Sequence, residues 1–173
     1  MQKSINGAAF RKMILGSAKV LEDNKKYIDS LNVFPVPDGD TGTNMSLTFK
    51  MATQEVAVCP SNNLDMVCDA FSKGALKGAR GNSGVILSQI IKGMCNVLKQ
   101  ETEITTKNFA KALTSGAEIA YKAVTKPKEG TILTVIRVMA ETSVTVAKKT
   151  QDLEQFFDAV IEAGQNILAE GLA

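Results

Sequence analysis

Ile132-Leu-Thr-Val-Ile-Arg-Val-Met-Ala-Glu-Thr-Ser-Val-Thr-Val-Ala147 is rich in β-branched residues, and on propensity alone it reads as a strand. Its spacing says otherwise. Ile132, Val135, Ile136, Met139 and Ser143 recur every three or four residues, the period of one helix face, and the run is longer than an ordinary strand. Once this segment is read as helix, no credible strand remains in the chain.

Working outward, Lys126-Pro-Lys-Glu129-Gly130-Thr131 is a clear breaker before that helix, and a last helix runs from about Leu153 to Ala169 with Phe156, Phe157, Val160, Ile161, Ala163 and Ile167 as its apolar residues. Upstream, Thr106 is the expected N-cap of a helix that continues through Val124. Before it, a helix from about Ser83 to Gln100 carries Val85, Ile86, Ile90, Met94 and Leu98 on one side, and another is defined by Leu64, Val67, Phe71 and Leu76. A helix from Thr43 to about Val56 includes Met45, Leu47, Phe49 and Met51, and the stretch from Val56 to Asn63 is a connection. Phe10, Met13, Ile14, Ala18 and Leu21 mark the first helix, and a second short segment around Tyr27, Ile28 and Leu31 ends at Asn32. The expectation is an all-α, antiparallel bundle or barrel of about eight helices, one domain over residues 1–173.

Composition narrows the function classes. The net charge is +2 with acidic and basic residues interspersed, tryptophan is absent and aromatics are sparse, which argues against nucleic-acid binding. Cys59, Cys68 and Cys95 are odd in number and lack metal-site spacing, so buried free thiols in a reducing cytoplasm are expected. No run approaches the roughly 20 apolar residues that span a bilayer. The chain has no histidine, so neither a His general base nor a His-ligated metal is available.

Three glycine-containing interruptions each open a helix: the loop through Asp38, the turn from Gly78 to Gly84, and Glu129-Gly130-Thr131. In the first, Asn32-Val-Phe-Pro35-Val-Pro37-Asp38-Gly39-Asp40-Thr41-Gly42-Thr43-Asn44, two prolines stiffen the approach to a pair of carboxylates just before a helix start. Asp38 and Asp40 could hold a divalent metal there while helix amides hold phosphates. The same residues are also ordinary turn and N-cap chemistry. An EF-hand fails, because its sixth and twelfth positions counted from Asp38 are Thr43 and Phe49. An Asp-x-Asp phosphatase lacks its strand–helix alternation, and neither the P-loop nor the dinucleotide-binding glycine pattern is present. In the second turn, Arg80 offers a guanidinium, Ser83 an N-cap hydroxyl, and Gly81 and Gly84 allow a ligand to approach the following amides. An ordinary corner between two helices accounts for that turn equally well.

Taken together, Leu31 to Met45, Gly78 to Gln89 and Lys126 to Thr134 resemble the nucleotide-binding domain of the fatty acid kinase family, which is similar in turn to the L subunit of dihydroxyacetone kinase, the DhaL-like fold. The resemblance covers essentially the whole chain. It implies an eight-helix barrel that holds ATP or ADP and two Mg²⁺ ions at one end. Asp38 and Asp40 match two of three acidic metal ligands and would be the catalytic pair, with Asn32 at the first ligand position. Phosphate contacts would fall on Thr41, Gly42, Thr43 and Asn44 and on Asn82-Ser83, and adenine-side contacts near Thr131 and Ile132.

The activity so implied is ATP- and Mg-dependent phosphoryl transfer to a fatty acid carboxylate presented by a DegV-type fatty-acid-binding protein. A small hydroxyketone acceptor and a nucleotide-binding sensor or scaffold without turnover are the other readings. Family members continue into a further helix, a Gly-Gly segment that closes over the nucleotide, and domains through which a homodimer could form. This sequence stops at Ala173, which gives the expectation of a chain lacking its closing segment.

Overall fold

A computed structural model describes residues 1–30, 39–127 and 131–170. Among them are seven helices: α1 (Gly7–Ser30), α2 (Thr41–Ala57), α3 (Leu64–Gly78), α4 (Gly81–Leu98), α5 (Thr106–Ala123), α6 (Ile132–Lys149) and α7 (Leu153–Ala169). The only β pairing among the described residues is an isolated bridge between Ile5 and Ile104, so the chain is all-α. Among the described residues the count is seven rather than about eight, because Tyr27 and Ile28 of the second short segment continue α1; Leu31 and Asn32 lie outside the described residues. Residues 22–26 contain neither glycine nor proline, the Asn24 side chain donates to the Val20 carbonyl at 2.7 Å, and Lys25 pairs with Glu22 at 2.7 Å. Nothing there interrupts the helix.

The decisive segment is helical throughout, as its spacing predicts, but its buried face is shifted. Leu133, Thr134, Ile136, Ala140, Ser143 and Ala147 point inward, whereas Ile132, Val135 and Met139 are only partly buried. A second correction concerns α5. Its N-cap is Thr105, which accepts from the Asn108 amide at 3.3 Å while Asn108 accepts from the Thr105 amide at 2.7 Å. Thr106, the expected cap, lies inside the helix, where its buried hydroxyl donates to the Thr150 carbonyl at 3.1 Å.

Consecutive helices pack on one another from α1 to α7, and α2 also packs on α4. They alternate in direction: Asp29 near the end of α1 meets Thr43 at the start of α2, and Thr150 just after α6 meets Thr106 at the start of α5. The starts of α2, α4 and α6 therefore share one end of the bundle with the finishes of α1, α3, α5 and α7. The far end is tied together by the N-terminal residues. Ile5 and Ile104 exchange backbone hydrogen bonds of 2.9 and 2.8 Å, and Leu153 donates to Gln2 at 2.8 Å. Arg11 reaches the carbonyls of Ala57 and Cys59 at 2.9 and 2.8 Å.

Between the ends lies a continuous apolar core that includes Val56, Val67, Leu98, Ile104, Leu133 and Phe156. Edge-to-face aromatic contacts stitch it at two places: Phe71 with Phe10 and Phe49 across α1, α2 and α3, and Phe109 with Phe156 and Phe157 across α5 and α7. Each buried phenyl ring contributes about 1.5–3 kcal/mol through the water-exposed area it removes. All three cysteines are buried free thiols, as expected. A hydrogen bond with Cys68, reinforced by burial, pushes the Cys95 thiol up and keeps it protonated. No helix among the described residues is long and apolar enough to cross a membrane.

Candidate functional site

The α2 helix is the floor of the candidate site, and its inward face is partly polar. The alternating apolar residues do not all turn inward, since Leu47 and Met51 are exposed. Instead α2 buries Gly42, Ser46, Thr48, Ala52, Thr53 and Val56 at helical spacing. Small side chains let its neighbours come close. A methyl group on Gly42 would stand 2.2 Å from the Lys25 carbonyl, so α1 crosses α2 at a point only glycine permits. On the other side, Gly74 and Gly78 of α3 face Ala52 and Met51.

The start of α2 is held by an acid from another helix. Asp29 accepts the Thr43 amide at 2.9 Å through Oδ1 and the Thr43 hydroxyl through Oδ2. These bonds, the Thr43 hydroxyl foremost, with the Gly42 amide and nearby Lys25 adding to them against a contrary push from burial, hold the Asp29 carboxyl below its ordinary range. One turn along, Ser46 donates to Glu22, whose carboxyl is likewise lowered, chiefly by its hydrogen bonds with Lys25 and Ser46. Gly39 enters the helix at φ +67°, and Asp40 occupies the N-cap position with no capping hydrogen bond from its side chain. Helix geometry begins at Thr41 rather than at Thr43, because Asp29 satisfies first-turn amides that a local cap would otherwise have to meet.

The start of α4 meets the start of α2. Ser83 Oγ donates to the Thr41 carbonyl at 3.4 Å, and the Arg80 amide donates to Thr48 Oγ1 at 3.0 Å. Thr48 in turn donates to the Asn44 carbonyl at 2.8 Å. Gly81, at φ +64°, lies so close to Asn44 that a Cβ would be 2.3 Å from its side-chain nitrogen. Ser83, expected as the N-cap, is the third residue of α4, and the cap position belongs to Arg80. Gly84 is buried with Thr48 Oγ1 standing 2.3 Å from its absent Cβ, so the close approach it permits is that of α2 rather than of a ligand. Gly81, Asn82 and Arg80 are exposed. The first intrahelical bond of α4 runs from Gly84 N to Arg80 O at 3.1 Å, which leaves the amides of Gly81, Asn82 and Ser83 outside the helical ladder.

Asp40, Thr41, Thr43, Asn44, Arg80, Gly81, Asn82 and Ser83 thus gather where two helices begin, while Gly42 is buried against α1. Asn32 and Asp38 lie outside the described residues, and among the described residues no three acidic or cysteine side chains cluster around a metal position. Thr131 caps α6 by accepting the Leu133 amide at 3.3 Å, with Ile132 partly buried beside it. They stand at the same end of the bundle, on a helix that packs on α5 and α7. Sequence reasoning missed Asp29 and Thr48. Neither carries a local signal, because each works across a helix–helix contact.

Chemically, the junction presents two helix dipoles with their positive ends together, amides of α4 open to an anion, and hydroxyl, amide and carboxylate oxygens of the kind a hard divalent cation takes. A family model described as the DAK2 domain matches residues 35–171. Uncharacterised proteins of Staphylococcus aureus, among them those of the strains bovine RF122 / ET3-1, USA300 and NCTC 8325 / PS 47, are 48% identical over 161 residues. The match takes in 93% of this chain, which spans only 29% of the length of those relatives. The chain belongs to the DAK2 domain family, whose helical, DhaL-like fold is a kinase-type nucleotide-binding domain.

Proposed function

We propose that the chain binds ATP with Mg²⁺ at the junction of α2 and α4 and serves transfer of the γ-phosphoryl group to a fatty acid carboxylate presented by a DegV-type fatty-acid-binding protein. The observation that carries this reading is the meeting of the two helix starts at Ser83 and Thr41, beside an Asp40 whose side chain does no capping work. The donor set fits a hard cation. Asp40 would hold it from the helix start, joined by Asp38 and Asn32 from the segment just before. When bound, such an ion neutralises charge on the β- and γ-phosphates. The open amides of Gly81, Asn82 and Ser83 would orient the phosphate oxygens, and the exposed Arg80 guanidinium would add positive charge. Thr131 and Ile132 would flank the adenine.

The carboxylate acceptor is favoured by the resemblance of the stretch from Asn32 to Pro37 to the fatty acid kinases. A carboxylate is already ionised at neutral pH and attacks phosphorus without a general base, whereas a hydroxyl acceptor gives up a proton. With no histidine in the chain, the carboxylate makes the smaller demand on its residues. The new bond joins a carboxylate oxygen to the γ-phosphorus, the bond from that phosphorus to the β–γ bridging oxygen breaks, and acyl phosphate and ADP leave. A second reading is nucleotide binding without turnover, which a DAK2 domain by itself could perform.

The test has two stages. Calorimetry with Mg·ADP on the wild-type chain and on Asp40→Asn should show saturable binding that the substitution weakens at least tenfold. Phosphoryl transfer is then assayed with the chain, comparing a fatty acid on its binding protein with dihydroxyacetone. Transfer to the hydroxyketone alone would replace the acceptor, and binding without any transfer would favour the second reading.

A further inference from the structure

A groove between α5 and α6 is basic at one end. Lys107 and Lys111 stand four residues apart on its α5 wall, and Lys148 stands on its α6 wall, where the start of one helix lies beside the finish of the other. Ala110 and Ala147 are buried along it, and Val144 between the walls is 40% exposed. Glu118 lines it farther along α5, toward the opposite end of the bundle. The groove is therefore apolar beneath, with cations at one end and a carboxylate at the other.

The outer side of α7 carries the complementary pattern. Glu154, Asp158 and Glu162 recur every four residues and are exposed, and Ile161 among them is 51% exposed. From Ala163 to Ala169 the helix has no charged residue, and Leu168 is exposed. None of these lysines and carboxylates is in an ion pair among the described residues.

We propose that the chain self-associates, with α7 of one copy lying in the α5–α6 groove of a second copy. The acidic half of α7 meets Lys107, Lys111 and Lys148, Ile161 packs beside Val144, and the uncharged half passes Glu118, where another carboxylate would be repelled. In that register α7 runs parallel to α5 of the second copy. The two helices also run parallel within one copy, because consecutive helices alternate in direction, so a two-fold axis along the bundle makes both contacts at once and closes the pair. An acidic helix of another protein would suit the groove, but only a second copy accounts for the exposed face of α7 as well. The proposal is independent of the nucleotide reading.

Sedimentation equilibrium on the wild-type chain and on folded variants tests it, with thermal melts to show folding. The expected result is a reversible dimer whose dissociation constant rises several-fold as salt is raised to about 0.5 M. The double variants Lys107→Glu, Lys111→Glu and Asp158→Lys, Glu162→Lys should each weaken it about tenfold or more, because like charges are then opposed. Mixed in equal amounts, the two should pair with each other to within about threefold of the wild-type affinity, since each then offers the charge the other takes. Ile161→Ser, at an exposed position, should weaken association about fivefold and leave the melting temperature nearly unchanged.

A wild-type chain that stays monomeric up to about 1 mM overturns the proposal. So does a dimer that survives either charge reversal, a mixture of the reversed variants that does not pair, or unaltered association of Ile161→Ser. That last variant keeps the surface charges as they are, so it decides the matter even if a reversed chain fails to fold.

Discussion

Thr48 stands where Gly84 would carry a side chain: its hydroxyl oxygen is 2.3 Å from the position a Cβ would take. Thr48 is fully buried, and its oxygen is engaged by the Arg80 amide and the Asn44 carbonyl, so it has nowhere to move. Gly84→Ala should therefore push α2 and α4 apart and cost about 1–3 kcal/mol, the ordinary price of overpacking. Combining it with Thr48→Ala, which removes the obstructing hydroxyl, should cost less than the sum of the single changes. Urea denaturation of the three variants closes the double-mutant cycle, and strict additivity would contradict the contact.

Asp40→Asn should leave the cap of α2 in place, because the side chain contributes no capping bond. Asp29→Ala should cost about 1 kcal/mol, since it deletes the group that does. Melting curves of the two variants, run side by side, check that the cap of α2 comes from α1 and not from its own N-cap residue.

Thr105→Ala should remove the cap of α5 at a cost of about 1 kcal/mol and leave Mg·ADP affinity unchanged, because that helix starts at the end of the bundle opposite the junction. Calorimetry on the folded variant is the check. A large loss of affinity would mean that the two ends are coupled.

Acid should weaken the α1–α2 contact. The carboxyls of Glu22 and Asp29 are both lowered in the folded chain by their hydrogen bonds to α2 and by Lys25. The folded state therefore binds protons less readily than the unfolded state at these groups. Their contribution to stability is present in full above the ordinary carboxylate range and is lost as the pH falls through the depressed values. Urea midpoints measured from pH 6 downward should fall less steeply for the Glu22→Gln, Asp29→Asn double variant than for wild type. Parallel profiles would show that the two carboxylates contribute nothing to the acid limb.

The helices were largely legible because their signals are local. The period of Ile132 to Ala147 outweighs its β propensity, and α7 begins and ends at Leu153 and Ala169 as its pattern indicates. What escaped the sequence is whatever depends on a neighbour. The inward faces of α2 and α6 are set by what packs on them, so Leu47 and Met51 point outward while Ser46 and Thr48 are buried. Thr105 and Thr106 carry identical side chains, and only the Asn108 that completes a capping box with Thr105 decides between them. At the site, the glycines of the Gly78 to Gly84 turn were legible as places of close approach, but whether ligand or helix makes the approach is a tertiary fact. The meeting of Thr41 and Ser83, 42 positions apart, has no local signature at all.

The alternation of helix direction has an effect on how the chain encounters a charged small molecule from solution. Among the described residues three positive helix poles share their end of the bundle with four negative ones, so beyond a Debye length of about 8 Å at physiological salt their field largely cancels. With a net charge of only +2, the molecule has little long-range attraction to offer an anion. Anion capture then depends on collision with the α2–α4 junction and not on electrostatic guidance toward it, and the association rate of a nucleotide should vary little with ionic strength.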